Sequence, residues 1–121
     1  MSLDFYLKGE PEETTCFEYG SKYLRSEVLF EINITHNLNK MADKAGIYEA
    51  LWHPEAIKAV KAKDITGILE KGLEDLKARP DYFRQFNAPN GWGLYEHLVS
   101  FVEEVLEACK ENPEAYIKAS V

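Results

Sequence analysis

Long apolar runs are missing from this chain, and so is any excess of positive charge. No stretch approaches the ~18 consecutive apolar residues of a membrane-spanning helix. Lysine and arginine number 14 against 21 aspartates and glutamates, for a net charge of −7. That balance argues against nonspecific binding to a phosphate backbone, which needs a basic face. Glycine (7) and proline (5) are too few for a low-complexity or collagenous chain. The 2 cysteines, Cys16 and Cys109, lie far apart and belong to no Cys-x-x-Cys pair, and the histidines form no His-x-x-x-His pair. A structural zinc module is therefore not expected. Gly-x-Ser-x-Gly and glycine-rich phosphate loops are also missing, which removes two common catalytic frameworks. The opening residues 2–7 are too short and too acidic for an export signal. The expectation is a cytoplasmic protein with free thiols that sit as small hydrophobes. Asn33-Ile34-Thr35 matches a glycosylation acceptor, which without secretion is a chance match.

The chain has 121 residues, 45% of them hydrophobic, which suits one globular domain spanning 1–121. Residues 3–8 read as a strand and 9–13 as a turn or exposed loop. Residues 14–19 and 22–32 read as extended segments about Gly20-Ser21, the second alternating in its latter half. From Thr35 the period becomes helical: Leu38, Met41, Ala42 and Ala45 share a face, Thr35 suits the N-cap, and Gly46 suits the left-handed exit. Residues 47–52 predict a short helix that stops near His53-Pro54. Residues 58–63 read as a basic linker. Asp64 then caps a helix striped by Ile65, Ile68, Leu69, Leu73 and Leu76, which Pro80 ends or follows. Residues 81–86 read as one or two further helical turns. The strongest helix starts after the loop 87–93, carries Leu94, Leu98, Phe101, Val102, Val105 and Cys109, and stops at Asn112-Pro113. Residues 115–121 suit a strand. These elements predict an α+β domain, with a small antiparallel sheet of the N-terminal strands plus the C-terminal strand packed on three to four helices.

Two runs concentrate chemistry: Asn33-Ile34-Thr35-His36-Asn37-Leu38 and Asn87-Ala88-Pro89-Asn90-Gly91-Trp92-Gly93, each just before a helix. Helix starts leave N–H groups unpaired and carry partial positive charge. If the two runs meet, Thr35, His36, Asn37, Asn90, Trp92 and Tyr95 form a polar pocket with an indole in its wall. Trp92 supplies a stacking face, Tyr95 a hydroxyl, and the asparagines both donors and acceptors. The competing reading makes His36 a first-turn residue that fixes the strand-to-helix turn, and Trp92 a buried plug in a helix-entry loop. His36 as general base, or an acid/base pairing of His36 and His97 with Glu96 or Glu103, is the enzymatic alternative. No metal and no cofactor are expected.

Three runs taken together resemble a family of small proteins of bacteriophages, prophages and some bacteria, a family with no settled activity. They are residues 33–42 (NITHNLNKMA), 46–52 (GIYEALW) and 90–96 (NGWGLYE), and the resemblance covers roughly residues 2–119. Relatives carry a zinc-knuckle-like Cys-x-x-Cys pair in the N-terminal hairpin. Here Cys16 matches the first cysteine and Tyr19 stands at the second, so the knuckle is incomplete. The resemblance implies a phage accessory or counter-defence role in a host cytoplasm. The leading expectation is a non-enzymatic protein that binds a small polar or nucleotide-like ligand. The next is an acidic interaction module or inhibitor of a host complex, and the third a small enzyme using His36. A homodimer is compatible with a chain of this size.

Overall fold

The computed structural model describes residues 2–9, 12–16, 21–25, 28–87 and 93–121, with the backbone alone for 12–16 and 21–25. The strands are β1 (Ser2–Lys8), β2 (Glu12–Cys16), β3 (Ser21–Arg25), β4 (Val28–Thr35) and β5 (Tyr116–Ser120). The helices are α1 (Asn39–Lys44), α2 (Tyr48–Trp52), α3 (Lys63–Ala78), α4 (Pro80–Arg84) and α5 (Tyr95–Glu111). Short 3₁₀ turns cover His36–Leu38 and Pro54–Ile57. The expected α+β architecture is present, with five helices among the described residues where three to four were anticipated. No helix among the described residues is long and apolar enough to cross a membrane.

β1 is the middle strand of a three-stranded antiparallel sheet ordered β4-β1-β5, so the C-terminal strand does join the N-terminal one. Its side chains alternate between the two faces, as strand geometry requires. Leu3, Phe5 and Leu7 are wholly buried on the helix-covered face. The other face is polar: Asn33 donates to Asp4 at 2.7 Å and to Ser2 at 2.9 Å, and Tyr6 pairs with Glu31 and Lys118 across the ladder. Partial burial, then the nearby carboxylates of Asp4 and Glu31, push the Tyr6 phenol up.

The extended stretch anticipated at 22–32 is two strands. β2 pairs with β3 in a two-stranded ladder of its own, with Glu12 opposite Arg25 and Cys16 opposite Ser21. In the main sheet a bulge shifts the register between Leu7, which faces Phe30, and Lys8, which faces Val28.

α5 lays Leu98, Phe101, Val102, Val105 and Cys109 into the core, and α3 adds Ile65, Leu69 and Leu76. These belong to the stripes the sequence predicts, of which Ile68, Leu73 and Leu94 are only half-buried. Burial raises the Cys109 thiol to about 12, so it stays protonated and unreactive in the folded chain. α3 also approaches the turn after α1 closely. Gly46 occupies the left-handed region there (φ 77°), and a Cβ on Gly72 would overlap Ile47 Cγ2.

The segment 58–62 is not a free linker. Ala59 and Ala62 are buried, Ile117 N–H donates to the Val60 carbonyl (2.9 Å), and Ala62 N–H donates to the Ala115 carbonyl (2.8 Å). The outer edge of β5 needs hydrogen-bond partners, and this segment supplies them. Lys61 and Lys63 meet Glu114 at 2.8 and 3.0 Å. Asp64 closes the turn ahead of α3: its Oδ2 accepts from both Val60 N–H and Lys61 N–H, each at 3.0 Å. Sequence placed it as an N-cap of the helix that follows, but its carboxylate reaches back to the donors before it. Those two N–H groups hold its carboxyl below the usual range.

Replacing Gly72 with alanine forces Ile47, a χ1-stiff β-branched residue, out of its place. Urea unfolding of Gly72→Ala is expected to show a loss of about 1–3 kcal/mol. Because the folded-state pKa of Asp64 lies below its unfolded value, its contribution is present above the unfolded pKa and fades as pH falls through the folded one. Asp64→Asn keeps an acceptor oxygen without the charge. The variant is expected to lose less stability than the parent between about pH 6 and about pH 3.

Candidate functional site

Thr35 ends β4 in an extended conformation (φ −67°, ψ 144°), and its Oγ1 accepts the Asn37 N–H at 3.3 Å. This is the expected capping role, on a 3₁₀ turn that leads into α1. The turn presents Asn37 outward and leaves His36 half-buried. His36 faces α2: Trp52 Nε1–H donates to His36 Nδ1 at 2.9 Å, with ring centroids 6.4 Å apart. Nδ1 must carry a lone pair to accept, so the imidazole holds its proton on Nε2. The Nδ1 lone pair is engaged by Trp52 and Nε2 has none, so neither nitrogen can take a proton from a substrate while the Trp52 bond persists. The row continues outward, with Tyr48 stacked on Trp52 (5.5 Å, 18°) and edge-on to His53 (5.5 Å, 66°).

The indole against His36 is thus Trp52, which is 2% exposed and already stacked on Tyr48. Asn90 and Trp92, expected in the pocket wall, lie outside the described residues. Tyr95 does not offer its hydroxyl to a ligand. The side chain is 7% exposed and donates to the Leu76 carbonyl at 2.7 Å, tying the start of α5 to α3. An apolar ring on the buried face of α5 must turn inward, and its hydroxyl then needs an internal acceptor. Asn87 caps α5, with its Oδ1 accepting the Tyr95 N–H at 2.8 Å.

The set of polar groups that face solvent together is different from the one expected. A cleft of about 370 Å³ lies between the last residues of β4 and the first turns of α5. Asn33, Thr35, His97, Ser100, Phe101 and Glu104 line it. His97 and Ser100 are one helical turn apart and Glu104 one turn further, so they share a flank of α5. That spacing is legible in the sequence, but the partner strand is not. His97 accepts weakly from Leu94 N–H through Nδ1 (3.4 Å). Glu96 pairs instead with Arg84 (3.2 Å) and Glu103 with Lys77 (3.7 Å), so neither carboxylate orients His36. No three histidine, cysteine, aspartate or glutamate side chains among the described residues converge on a point that would hold a metal ion.

A larger groove, of about 610 Å³, runs along the seam of α1 and α3 past Gly46 and Gly72. Its Asp75 is held by Arg79 at 2.7 Å. No family model, curated protein or solved structure matches the chain.

Trp52→Phe deletes the donor and also half of the indole at a site that is 2% exposed. Its cost is expected to be about 2–4 kcal/mol, of which the hydrogen bond is about 1 and the cavity the rest. In the parent, ¹⁵N imidazole spectra should show His36 protonated at Nε2 alone; a proton on Nδ1 would contradict the assigned bond.

Proposed function

We propose that the chain is a non-enzymatic binding module that engages a partner protein through an acidic surface along β4 and α5. One observation carries this reading. Glu31 on β4 and Glu104, Glu107 and Glu111 on α5 are exposed, and among the described residues no cation pairs with any of them. Carboxylates on the other flank and near β5 are matched: Glu103 to Lys77, Glu70 to Lys110, and Glu114 to Lys61 and Lys63. Exposed carboxylates left together without counter-charges repel one another, and a basic partner surface relieves that repulsion. The net charge of −7 steers such a partner in the same direction.

The tied Nδ1 of His36 supports a binding role over base catalysis. A small polar ligand at the head of the cleft is the second reading, favoured by the hydrogen-bonding groups of Asn33, Thr35 and Ser100 there. A nucleotide-like ligand gains no stacking face from Trp52, which is enclosed. The resemblance to phage-encoded proteins makes a host protein the natural partner, with counter-defence as one setting.

The immobilised chain, challenged with lysate of the cell in which it acts, is expected to retain a partner at ~50 mM salt and release it by ~300 mM, as screening shortens the reach of the carboxylates. Combined Glu31→Lys and Glu104→Lys should abolish that retention. Retention that ignores both salt and charge reversal would contradict the acidic-surface reading.

A further inference from the structure

The two edges of the main sheet are treated differently. β5 is flanked by the segment 60–62, through the Ile117–Val60 hydrogen bond and the Lys61–Tyr116 bridge. β4 pairs with β1 on one side, and among the described residues no backbone segment pairs with the other. Eight residues long, it carries neither lysine nor proline, the usual guards of an open edge. An exposed edge of this length is a template for another strand.

The surroundings of this edge specify what would pair with it. A strand added beside β4 points alternate side chains to the two faces of the sheet. On the polar face its neighbour is Glu31, which lies across the ladder from Tyr6. On the helix-covered face its neighbours are Ile32 and Ile34 of β4 itself, and Ser100, Phe101 and Glu104 across the cleft. Glu111 lies two helical turns beyond Glu104 on the same flank of α5. A carboxylate therefore waits on either face.

Resting on the acidic-surface reading, we propose that β4 receives an extended, lysine- or arginine-rich segment of a partner protein as a fourth strand, seated in the cleft against α5. Main-chain hydrogen bonds to β4 supply the attachment, and Glu31 and Glu104 select basic side chains. Register follows the alternation of the incoming strand, because a one-residue slip exchanges its two faces.

The probe is a short synthetic peptide in which lysine pairs alternate with valine pairs (Lys-Lys-Val-Val), so that each face of the added strand carries lysine, added to the full chain and followed by amide hydrogen exchange and titration. The expected result is new protection at alternate amides within 28–35 and affinity that falls steeply with salt. Glu31→Lys and Glu104→Lys should each weaken binding by about tenfold, through charges at the rim of the contact. Glu74→Lys, the same charge reversal on exposed α3, should have little effect and shows whether net charge alone explains the loss. Peptide binding that protects amides elsewhere and leaves 28–35 unchanged overturns strand addition, yet leaves the acidic-surface reading standing. Absence of binding at ~1 mM peptide overturns strand addition as well. Concentration-dependent dimers in sedimentation, with mutual protection of 28–35, would give the edge to a second copy and overturn the proposal.

Discussion

Everything in this fold is arranged around a strand that is paired on both sides and buried on one face. β1 bonds to β4 and to β5, and its Leu3, Phe5 and Leu7 have no solvent exposure. Each such side chain is worth roughly 1.5–3 kcal/mol when removed from water. Against a total stability of about 5–15 kcal/mol for an ordinary domain, these three residues alone are a decisive share. Their face sets where α5 lies, and α5 in turn sets α3 through its shared core. The polar face of the same strand is free to carry hydrogen bonds and charge.

A middle strand implies two flanking strands with outer edges, and the described residues cover one of them. Beside β5 it folds the segment 60–62 back into hydrogen-bonding distance and secures the turn with the Asp64 carboxylate. Beside β4 it places the flank of α5 that bears His97, Ser100 and Glu104, leaving a cleft between helix and strand. Ion pairs follow the same division. Those between α3 and α5 are satisfied, while the carboxylates of the β4 flank stand alone among the described residues. Exposed pairs of this kind contribute little to stability. Their distribution matters more for recognition than for folding.

Much of this was legible in the residues. The alternation of Leu3, Phe5 and Leu7, the α3 and α5 stripes, the Thr35 cap, Gly46 at the helix exit and the His53-Pro54 stop are local signals, and they hold in the structure. What could not be read was mutual placement. Lysines at 58, 61 and 63 look like a solvated linker, yet the alanines between them are buried and the Val60 carbonyl accepts from Ile117 of β5. Tyr95 and Trp52 each combine an apolar ring with a polar tip, and sequence does not say whether that tip meets a ligand, a carbonyl or a histidine. Asn90 and Trp92, on which the expected pocket leaned, lie outside the described residues. The cleft that is present joins a strand and a helix separated by some sixty residues in sequence, a distance over which no local pattern carries information.

The asymmetry of the two sheet edges is tested most directly by native-state amide exchange on the free chain in dilute solution. The account predicts slow exchange along β1 and at Ile117, whose N–H is held by Val60, with fast exchange at alternate amides of β4 that point away from β1. Uniformly slow exchange through residues 28–35 in the monomer would contradict it, for it would mean that the edge is already occupied.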